Sequence, residues 1–339
     1  MDRLYYRPIA RTDRARPAGA LTLAGGWCWF DSVEVLSRGA APRLIAVADL
    51  TEDVRDRLSA PRPAMAGLGF DRPTIMGILN LTPDSFSDGG RFNAPQVALD
   101  RAHALIAAGA DILDIGGEST RPGAAEVPVA EEIERTAPVI AALRLAGFTA
   151  PISIDTRKAA VAEAALRTGA DLVNDVAAME FDPAMAEVVA RTGAPVCLMH
   201  AQGLPETMQD DPRYGDVLLD VYDYLQDRIA VAEAAGIPRA RILTDPGVGF
   251  GKTVGHNLAL IRGLSLFHGL GCAVLLGVSR KRFIGTVGAA PEATSRAPGT
   301  LAVTLAGLGQ GIQMHRVHDV TEIAQGIRLW NAIARGYEE

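Results

Sequence analysis

The sequence predicts an α/β fold in which eight parallel strands and eight helices alternate to form a (β/α)8 TIM barrel. The first observation is a series of eight short, β-rich apolar runs that begins at residue 74. The second is the alanine-rich segments between these runs, whose apolar residues recur with helical spacing. The third is length, because residues 71–339 hold the eight units and such barrels have roughly 250 residues.

The strands and helices follow one another in a regular order. The predicted strands are Thr74–Leu81, Ala110–Gly117, Pro151–Thr156, Asp171–Val176, Ala194–His200, Arg241–Gly247, Ala273–Ser279 and Met314–Asp319. Helices are predicted over segments such as 96–108, 129–146, 157–168 and 216–235. Gly109, Gly169 and Gly193 stand where helices end, a position that favours left-handed glycine. A doubly wound sheet is the alternative, but no G-x-G-x-x-G follows the first strand.

Residues 1–70 do not follow this repeat and are predicted to form a short N-terminal extension. They contain Trp27 and Trp29, a strand-like run at 43–48 and a possible short helix at 51–59. A stretch rich in proline and glycine, 61–69, suggests a linker or a turn that leads into the barrel floor. We expect a small appended unit or a strap around the barrel, to which the sequence assigns no function.

Composition excludes several classes of protein. The formal net charge of −7 disfavours a general binder of nucleic acid, because such a protein needs a basic face. Three widely separated cysteines, Cys28, Cys197 and Cys272, suit neither a disulfide framework nor a zinc ribbon. The most apolar stretch near the N-terminus, 21–30, is too short to span a bilayer. We therefore expect a soluble cytoplasmic protein without a nucleic-acid or membrane partner.

Polar residues concentrate where the predicted strands end. In a barrel the C-terminal ends of the strands meet at one rim, and active sites are built on that rim. The polar side chains that close or follow an apolar run are Asn80, Asp114, Glu118, Asp155, Asn174, Asp245, Lys281, Arg316 and His318. One such residue would be explained as a capping group, but so many at one rim predict a functional site.

The last predicted strand carries the features of an anion site. Arg316 and His318 are two positions apart, so on a strand their side chains share one face. Asp319 and Glu322 have the spacing of a capping box, which predicts a helix from Val320. The N–H groups at the start of that helix would bind a phosphate together with Arg316 and His318. The alternative is an arginine that only satisfies carbonyl groups at the strand end.

The strand-end carboxylates and one amide favour a different ligand. Asp155 and Asp245 each end a strand, and a buried carboxylate accepts two N–H bonds from a guanidine-like edge. Asn174 stands within an apolar run and offers both a donor and an acceptor, as recognition of a heterocycle requires. The alternative for Asp155 is the capping of a helix that begins at Arg157.

Two loops and the few lysines add to this pattern. The polar, glycine-rich loops 82–91 and 118–123 follow the first two strands. They are either ordinary surface connections or lids, and their place at the rim favours lids. The segment 247–253 lacks the first glycine of a phosphate loop, so we expect a loop that approaches a ligand closely. Lys158, Lys252 and Lys281 are the only lysines, and each follows a strand, where a compact ammonium is favoured over a guanidinium.

At these strand ends the sequence resembles the dihydropteroate synthase family. The two family signatures correspond to MGILNLTPDSFSDGG at 76–90 and DIGGESTRPGA at 114–124. The other strand ends match in order, with SIDT at 153–156, LVND at 172–175, LMHAQG at 198–203, DPGVGFGK at 245–252, GVSRKRFIG at 277–285 and RVHDV at 316–320. The resemblance covers residues 74 to about 336 and implies a barrel enzyme that is usually a homodimer.

The resemblance implies a transferase of folate biosynthesis that acts with Mg²⁺. Such enzymes join 6-hydroxymethyl-7,8-dihydropterin diphosphate to p-aminobenzoate and release pyrophosphate, and sulfonamides compete for the p-aminobenzoate site. The family pattern assigns pterin contacts to Asp155, Asn174, Asp245 and Lys281. It assigns diphosphate contacts to Asn80, Thr120, Arg121, Arg316 and His318, with Asn80 also at the metal position. The p-aminobenzoate contacts are Thr120, Pro122, Phe250 and Ser279, together with the backbone around Arg280. The expected catalytic residues are Asp155, Lys281 and Arg121.

The implied reaction is dissociative, with Asp155 stabilising the cationic methylene that remains after diphosphate leaves. A pterin-dependent methyltransferase is one alternative, but it would not need TPDSFSDGG or the pair Arg316 and His318. A catalytically silent relative is the other, and it would be expected to lose some of the residues Asn80, Arg121, Lys281 and His318, which are all present. Two departures from the family are Ala201, where many relatives have methionine, and the length of the extension.

Overall fold

A computed structural model of the chain describes residues 3–81, 90–119, 124–203 and 207–336. Its strands are β1 (Tyr5–Pro8), β2 (Leu21–Thr22), β3 (Trp29–Phe30), β4 (Ser32–Leu36), β5 (Arg43–Ala46), β6 (Thr74–Asn80), β7 (Ile112–Gly116), β8 (Ile152–Asp155), β9 (Leu172–Asp175), β10 (Val196–Met199), β11 (Ile242–Asp245), β12 (Ala273–Leu276) and β13 (Met314–Val317). Its helices are α1 (Glu52–Ser59), α2 (Gly90–Ala108), α3 (Val129–Leu145), α4 (Ala159–Thr168), α5 (Met185–Thr192), α6 (Val217–Ala234), α7 (Val254–Arg262), α8 (Arg282–Val287), α9 (Ala297–Leu308) and α10 (Val320–Arg335). Short 3₁₀ segments cover Val47–Asp49, Arg239–Arg241, Leu264–Leu270 and Ala293–Arg296.

Strands β6 to β13 close into a barrel in which all neighbours are parallel and β13 pairs with β6. The predicted (β/α)8 TIM barrel is therefore confirmed. Each observed strand lies inside its predicted run and is shorter at one end or both, because the ends of the runs belong to loops. Gly109, Gly169 and Gly193 have positive φ angles between helix and strand, as predicted.

The barrel interior is built in an apolar layer with a polar layer above it. Near the N-terminal ends of the strands, one buried cluster contains Ile112, Leu172, Leu243 and Met314. Side chains alternate along a strand, so the residue two positions later points into the barrel again. Those next inward residues are Asp114, Asn174, Asp245 and Arg316. The alternation of side chains along the strands therefore places a layer of polar residues directly above a layer of apolar residues in the barrel interior.

The floor of the barrel is closed by residues that precede the first barrel strand. Met65, Leu68 and Phe70 are buried and belong to the same interior cluster. Met65 and Leu68 exchange two backbone hydrogen bonds of 2.8–3.0 Å, which form a tight turn. The predicted turn into the barrel floor is confirmed. These three side chains belong to the first 70 residues of the chain, yet they pack inside the barrel that the following residues form.

The rest of the extension is an antiparallel sheet, in the order β1-β4-β5, with the β2-β3 pair and α1. It packs against the outside of the barrel, where the Tyr5 hydroxyl donates to Asp223 of α6 over 2.8 Å. Arg62 donates to the buried carbonyl of His268 over 2.9 Å. Among the described residues, no helix is long and apolar enough to cross a bilayer.

Candidate active site

Two carboxylates at the C-terminal rim, Asp114 on β7 and Asp155 on β8, are bridged by one guanidinium. Arg316 at the end of β13 donates from Nε to Asp114 Oδ2 over 2.5 Å and from Nη2 to Asp155 Oδ2 over 2.6 Å. Both carboxylates are buried, and the Arg316 side chain is 22% exposed. Closure of the barrel brings these residues together, because β13, β6, β7 and β8 are successive neighbours. The rim therefore holds a cation between two acceptor groups.

Asn174 and two free carboxylate oxygens complete the inner wall of this pocket. Asn174 lies in register with Asp155, and its Nδ2 donates to Asp114 Oδ2 over 3.2 Å. Asp114 Oδ1 and Asp155 Oδ1 are buried and accept no hydrogen bond from any described residue. Buried acceptors are normally satisfied, so these two oxygens lack the partners that such atoms usually have.

The alternative in which Asp155 caps the following helix is not observed. Helix α4 begins at Ala159, and the N–H of Ala159 donates to Asp182 rather than to Asp155. The Asp155 side chain turns into the barrel and binds Arg316. The role of Asp155 is therefore set by Arg316, which lies 161 positions away in the sequence.

Asp245 anchors the glycine-rich loop that follows β11. Its Oδ1 accepts the N–H of Gly247 over 2.7 Å, and the carboxylate is buried. Gly247 has a φ of +63°, and a Cβ there would lie 1.8 Å from the carbonyl oxygen of His200. Only glycine fits this conformation and this contact. The backbone that this loop approaches in the structure is that of the neighbouring strand end, and the predicted close approach to a ligand stays a prediction.

The same loop presents Phe250 to Lys281. Lys281 Nζ lies 3.7 Å from the centroid of the Phe250 ring, which is the geometry of a cation–π contact. Gly249 has a φ of +88°, and a Cβ there would lie 2.9 Å from Lys281 Cδ. The absence of a side chain at this glycine therefore lets the lysine stem lie along the loop. A flat apolar ring and an ammonium meet at the rim.

A second lysine, Lys252, is buried behind this contact. Its Nζ donates to the carbonyl of Phe250 over 2.9 Å and lies 2.8 Å from His200 Nδ1. Burial lowers the pKa of Lys252 and of His200 well below their usual values; the charge of Lys252 lowers the pKa of His200 further, and the charge of Lys281 lowers the pKa of Lys252 further, against Asp245. The sequence indicated a special position for Lys252 through the scarcity of lysine, but it showed neither His200 nor the Phe250 backbone as its partner.

The segments after β12 and β13 are tied together. Ser279 Oγ accepts the N–H of His318 over 3.0 Å and lies 2.9 Å from His318 Nδ1. Helix α10 begins at Val320 as predicted, but the predicted capping box is wrong. The Asp319 side chain makes no hydrogen bond to the helix. It binds the guanidinium of Arg280 instead, with Nε 2.9 Å from Oδ2, so the carboxylate is already engaged.

Asn80 ends β6 at the same rim, in register with Gly116, and its side chain is half-buried. Thr120, Arg121 and Pro122, with most of both predicted lids, lie outside the described residues. Within the described part of the chain, no group of three His, Cys, Asp or Glu side chains could hold a metal ion. A single amide oxygen fits Mg²⁺ that takes its other ligands from water and substrate phosphate.

Two carboxyl groups of the pocket titrate far from their usual range. Burial raises the pKa of Asp155 to about 7, and the neighbouring Asp114 adds to the rise while Arg316 opposes it. Burial also raises the pKa of Asp245 to about 6, against the N–H of Gly247 and the charge of Lys281. Strongly perturbed groups in a cleft are typical of functional sites.

Glu118, which the sequence placed at the rim with the other polar residues, does not face this pocket. It is buried against Lys158 and accepts from Arg157 Nε over 2.9 Å. Lys158 Nζ also donates to Glu132 Oε2 over 2.7 Å. Burial acts to raise the pKa of Glu118, but the contact with Lys158 holds it below its usual value. These buried contacts hold Glu118, the first residue of the second loop, away from the inner pocket.

Comparison with known proteins agrees with this site. Residues 76–318 match the family described as pterin binding enzymes. Dihydropteroate synthase of Neisseria meningitidis serogroup B is 48% identical over 271 residues, which are 78% of this chain and 94% of the relative. The enzyme of Escherichia coli K12 is 45% identical over 266 residues, with 78% of this chain and 93% of the relative covered.

Solved structures give the same result. Xanthomonas albilineans dihydropteroate synthase with 4-aminobenzoic acid superposes with a TM-score of 0.75 at 44% identity, covering 80% of this chain and 98% of the other. The same enzyme in complex with 7,8-dihydropteroate gives a TM-score of 0.73 at 41% identity, with 80% and 98% covered. The chain is thus a barrel enzyme of the pterin-binding class. Within that class it belongs to the dihydropteroate synthases, transferases of folate biosynthesis.

Proposed function

We propose that the strand-end residues of this chain join 6-hydroxymethyl-7,8-dihydropterin diphosphate to p-aminobenzoate, giving 7,8-dihydropteroate and pyrophosphate. The observation that carries the proposal is the polar cluster at the strand ends, where Arg316 bridges Asp114 and Asp155 and one buried oxygen of each carboxylate has no partner among the described residues. A pterin offers several N–H groups on one flat edge, which match those acceptors.

The pterin is held by Asp155, Asn174, Asp245 and Lys281. Asp245 is well suited to accept two N–H bonds from the guanidine-like edge, because its Oδ1 is oriented by the Gly247 N–H. Asn174, whose Nδ2 contacts Asp114, supplies a donor and an acceptor on one plane. Together these groups read the hydrogen-bonding edge of the ring and exclude ligands without it.

The diphosphate is held by Arg316, His318, Thr120, Arg121 and Asn80. Asn80 also contributes one oxygen to Mg²⁺, which supplies neutralisation of the diphosphate charge when bound. Arg316 uses Nε and Nη2 to bind two carboxylates in this structure, and the diphosphate binds the N–H groups of the guanidinium that these two bonds leave. His318 follows the strand that carries Arg316, and its ring is oriented by the contact with Ser279.

The p-aminobenzoate site consists of Thr120, Pro122, Phe250 and Ser279. The Phe250 ring gives an aromatic wall, and the contact of Lys281 with this ring supports a position of the ammonium between the two substrates. Sulfonamides, which share the aniline ring, compete for this site. The two predicted lids close over the ring after the diphosphate has bound.

Bond breaking precedes bond making. The C–O bond of the pterin methylene breaks, and the diphosphate leaves with the electron pair. The ionised carboxylate of Asp155 then stabilises the cationic methylene in a pocket that excludes water. The aniline nitrogen attacks the methylene carbon, and the new C–N bond is completed when the nitrogen loses its proton to solvent.

Pyrophosphate release is the test of this function. The purified chain is incubated with Mg²⁺ and both substrates, and pyrophosphate and dihydropteroate are measured together. Equal amounts of the two products, dependent on both substrates and inhibited by a sulfonamide, are expected. Methyl transfer without pyrophosphate would indicate a methyltransferase. Pterin binding without either product would indicate a silent relative.

The active enzyme is a cytoplasmic homodimer. On α10, Leu329 is 63% exposed and Ile333 is 76% exposed, and residues four apart on a helix share one face. Light scattering should give twice the chain mass, and Leu329→Glu with Ile333→Glu should give the monomer. A monomeric wild-type protein would contradict the proposal.

A further inference from the structure

Arg280 has an unusual backbone conformation between two residues of the proposed site. Its φ is +58°, in the left-handed region that L-residues other than glycine adopt rarely. Ser279 precedes it and Lys281 follows it, so this conformation sets the direction in which both side chains leave the chain. Strain of this kind persists only where surrounding contacts maintain it, and it concentrates at functional sites.

Three separate contacts maintain that conformation. The Arg280 N–H donates to Thr300 Oγ1 over 3.0 Å, and its carbonyl accepts from Arg296 Nη1 over 2.9 Å. Its guanidinium binds Asp319 through two nitrogens, with Nε 2.9 Å from Oδ2. The Asp319 side chain is only 10% exposed, so solvent screens this ion pair less than a surface pair.

The ion pair connects the two halves of the proposed site. Asp319 directly follows His318, and Arg280 directly follows Ser279, which itself contacts His318. The segment after β12, with Ser279 and Lys281, is therefore tied to the segment after β13 at two adjacent positions. A bidentate arginine–carboxylate pair fixes distance and orientation together.

We propose that Arg280 is a positioning residue whose ion pair with Asp319 couples the diphosphate-binding segment to the p-aminobenzoate-binding segment. When the anion orders His318, the pair transmits that order to Ser279 and Lys281, so p-aminobenzoate binds more tightly. The Arg280 guanidinium, which is engaged with Asp319, acts through this ion pair and not on a substrate. The inference rests on the proposed function, because it concerns the coupling between two substrates of that reaction.

Two variants and one control separate this role from a general structural one. Arg280→Gly removes the guanidinium but keeps a residue that adopts positive φ readily, so the backbone is preserved. Asp319→Asn removes the charge of the partner at nearly constant size. The control is Arg191→Met, which breaks an exposed ion pair of 2.6 Å with Glu163 on the outside of the barrel.

The measurement is the dissociation constant of p-aminobenzoate by calorimetry, with and without saturating pyrophosphate and Mg²⁺. In the wild type, pyrophosphate should tighten binding by a factor within the roughly 5- to 150-fold range of coupled sites. Arg280→Gly and Asp319→Asn should both lose most of that factor, and the KM for p-aminobenzoate should rise more than kcat falls. Affinity for a pterin without phosphate should stay unchanged, and Arg191→Met should behave as wild type.

Retention of the wild-type coupling factor by both variants would overturn the inference, as would the absence of coupling in the wild type. An equal loss of pterin affinity and p-aminobenzoate affinity would assign the pair a structural role only. Failure of the wild type to release pyrophosphate would instead reject the proposed function, so the two failures are distinguishable.

Discussion

Arg316 Nη2 donates to Asp155 Oδ2 over 2.6 Å, so the arginine proposed to bind the diphosphate contacts a carboxylate proposed to bind the pterin. Its Nε contacts Asp114 in the same way. Removal of this guanidinium therefore leaves two buried carboxylates facing each other without a countercharge. The anion site and the heterocycle site cannot be altered independently at this residue.

Substitution of His318 should separate the two sites where substitution of Arg316 cannot. We expect His318→Ala to weaken pyrophosphate binding by roughly 10- to 100-fold, the equivalent of one hydrogen bond to a charged group. It should spare a pterin without phosphate. Arg316→Ala should weaken both ligands, because Asp155 loses its partner. Titration of each variant with each ligand tests this, and a selective loss in Arg316→Ala would contradict it.

Activity should depend on pH through Asp155. Burial and the neighbouring Asp114 raise the pKa of Asp155 to about 7, and the proposed role requires the ionised form. We expect kcat/KM to rise with pH and to level off above about pH 7. Asp114→Asn removes a charge that raises this pKa, so the rising limb should move to lower pH. An unchanged midpoint in that variant would reject the assignment.

The same group should affect stability in the opposite direction. The folded protein holds a proton on Asp155 that the unfolded chain has already lost above its ordinary pKa of 3.8. Its contribution to the free energy of unfolding is therefore present below pH 3.8 and is lost as pH rises through about 7. Asp155→Asn should flatten this part of the profile, as measured by urea unfolding at each pH.

Lys281→Arg should damage the enzyme far more than conservation of charge suggests. The ammonium lies 3.7 Å from the centroid of the Phe250 ring, and a planar guanidinium is longer and differently shaped. Loss of one such contact in the transition state costs roughly 10²–10³ in kcat. The adjacent exposed Arg282, changed to lysine, is the matched control. Near wild-type turnover in Lys281→Arg would remove this lysine from the site.

The buried cluster behind the second loop should be sensitive to loss of its cation. Lys158 is 2% exposed and contacts Glu118 and Glu132, both almost fully buried. Lys158→Met leaves Glu132 without a countercharge, while Glu118 keeps its contact with Arg157, and breaking a buried pair costs about 3–5 kcal/mol. Lys158→Met combined with Glu132→Gln should recover part of that loss. Urea unfolding measures both, and a loss below about 1 kcal/mol, as for a surface pair, would contradict the prediction.

The extension should prove necessary for the barrel because it closes the floor. Phe70 is 2% exposed within the interior cluster, so Phe70→Ala should lower the free energy of unfolding by about 3–5 kcal/mol. Leu44 on the outer sheet is 65% exposed, and Leu44→Ala should change stability by no more than about 0.5 kcal/mol. Equally small effects of the two substitutions would show that the stability of the barrel does not depend on Phe70.

The sequence by itself determined the barrel, the order of its strands and the set of polar residues at the rim. These features follow from local rules, since apolar runs of strand length and glycine at helix ends depend on neighbours in the chain. The period of two along a strand also turns Asp114, Asn174, Asp245 and Arg316 into the barrel, two positions after its apolar base. The family resemblance then added expected roles for these residues.

Only the tertiary structure decided which of those side chains are partners. Arg316 and Asp114 are 202 positions apart, and closure of the barrel between β13 and β6 brings them into contact. Asp319 had the spacing of a helix cap, yet a guanidinium 39 positions away binds it instead. Glu118 follows a strand as the other rim residues do, but its contact with Lys158 keeps its side chain out of the inner pocket. Local spacing sets which face a side chain occupies, whereas the partner of a charge depends on which distant segment the fold brings beside it.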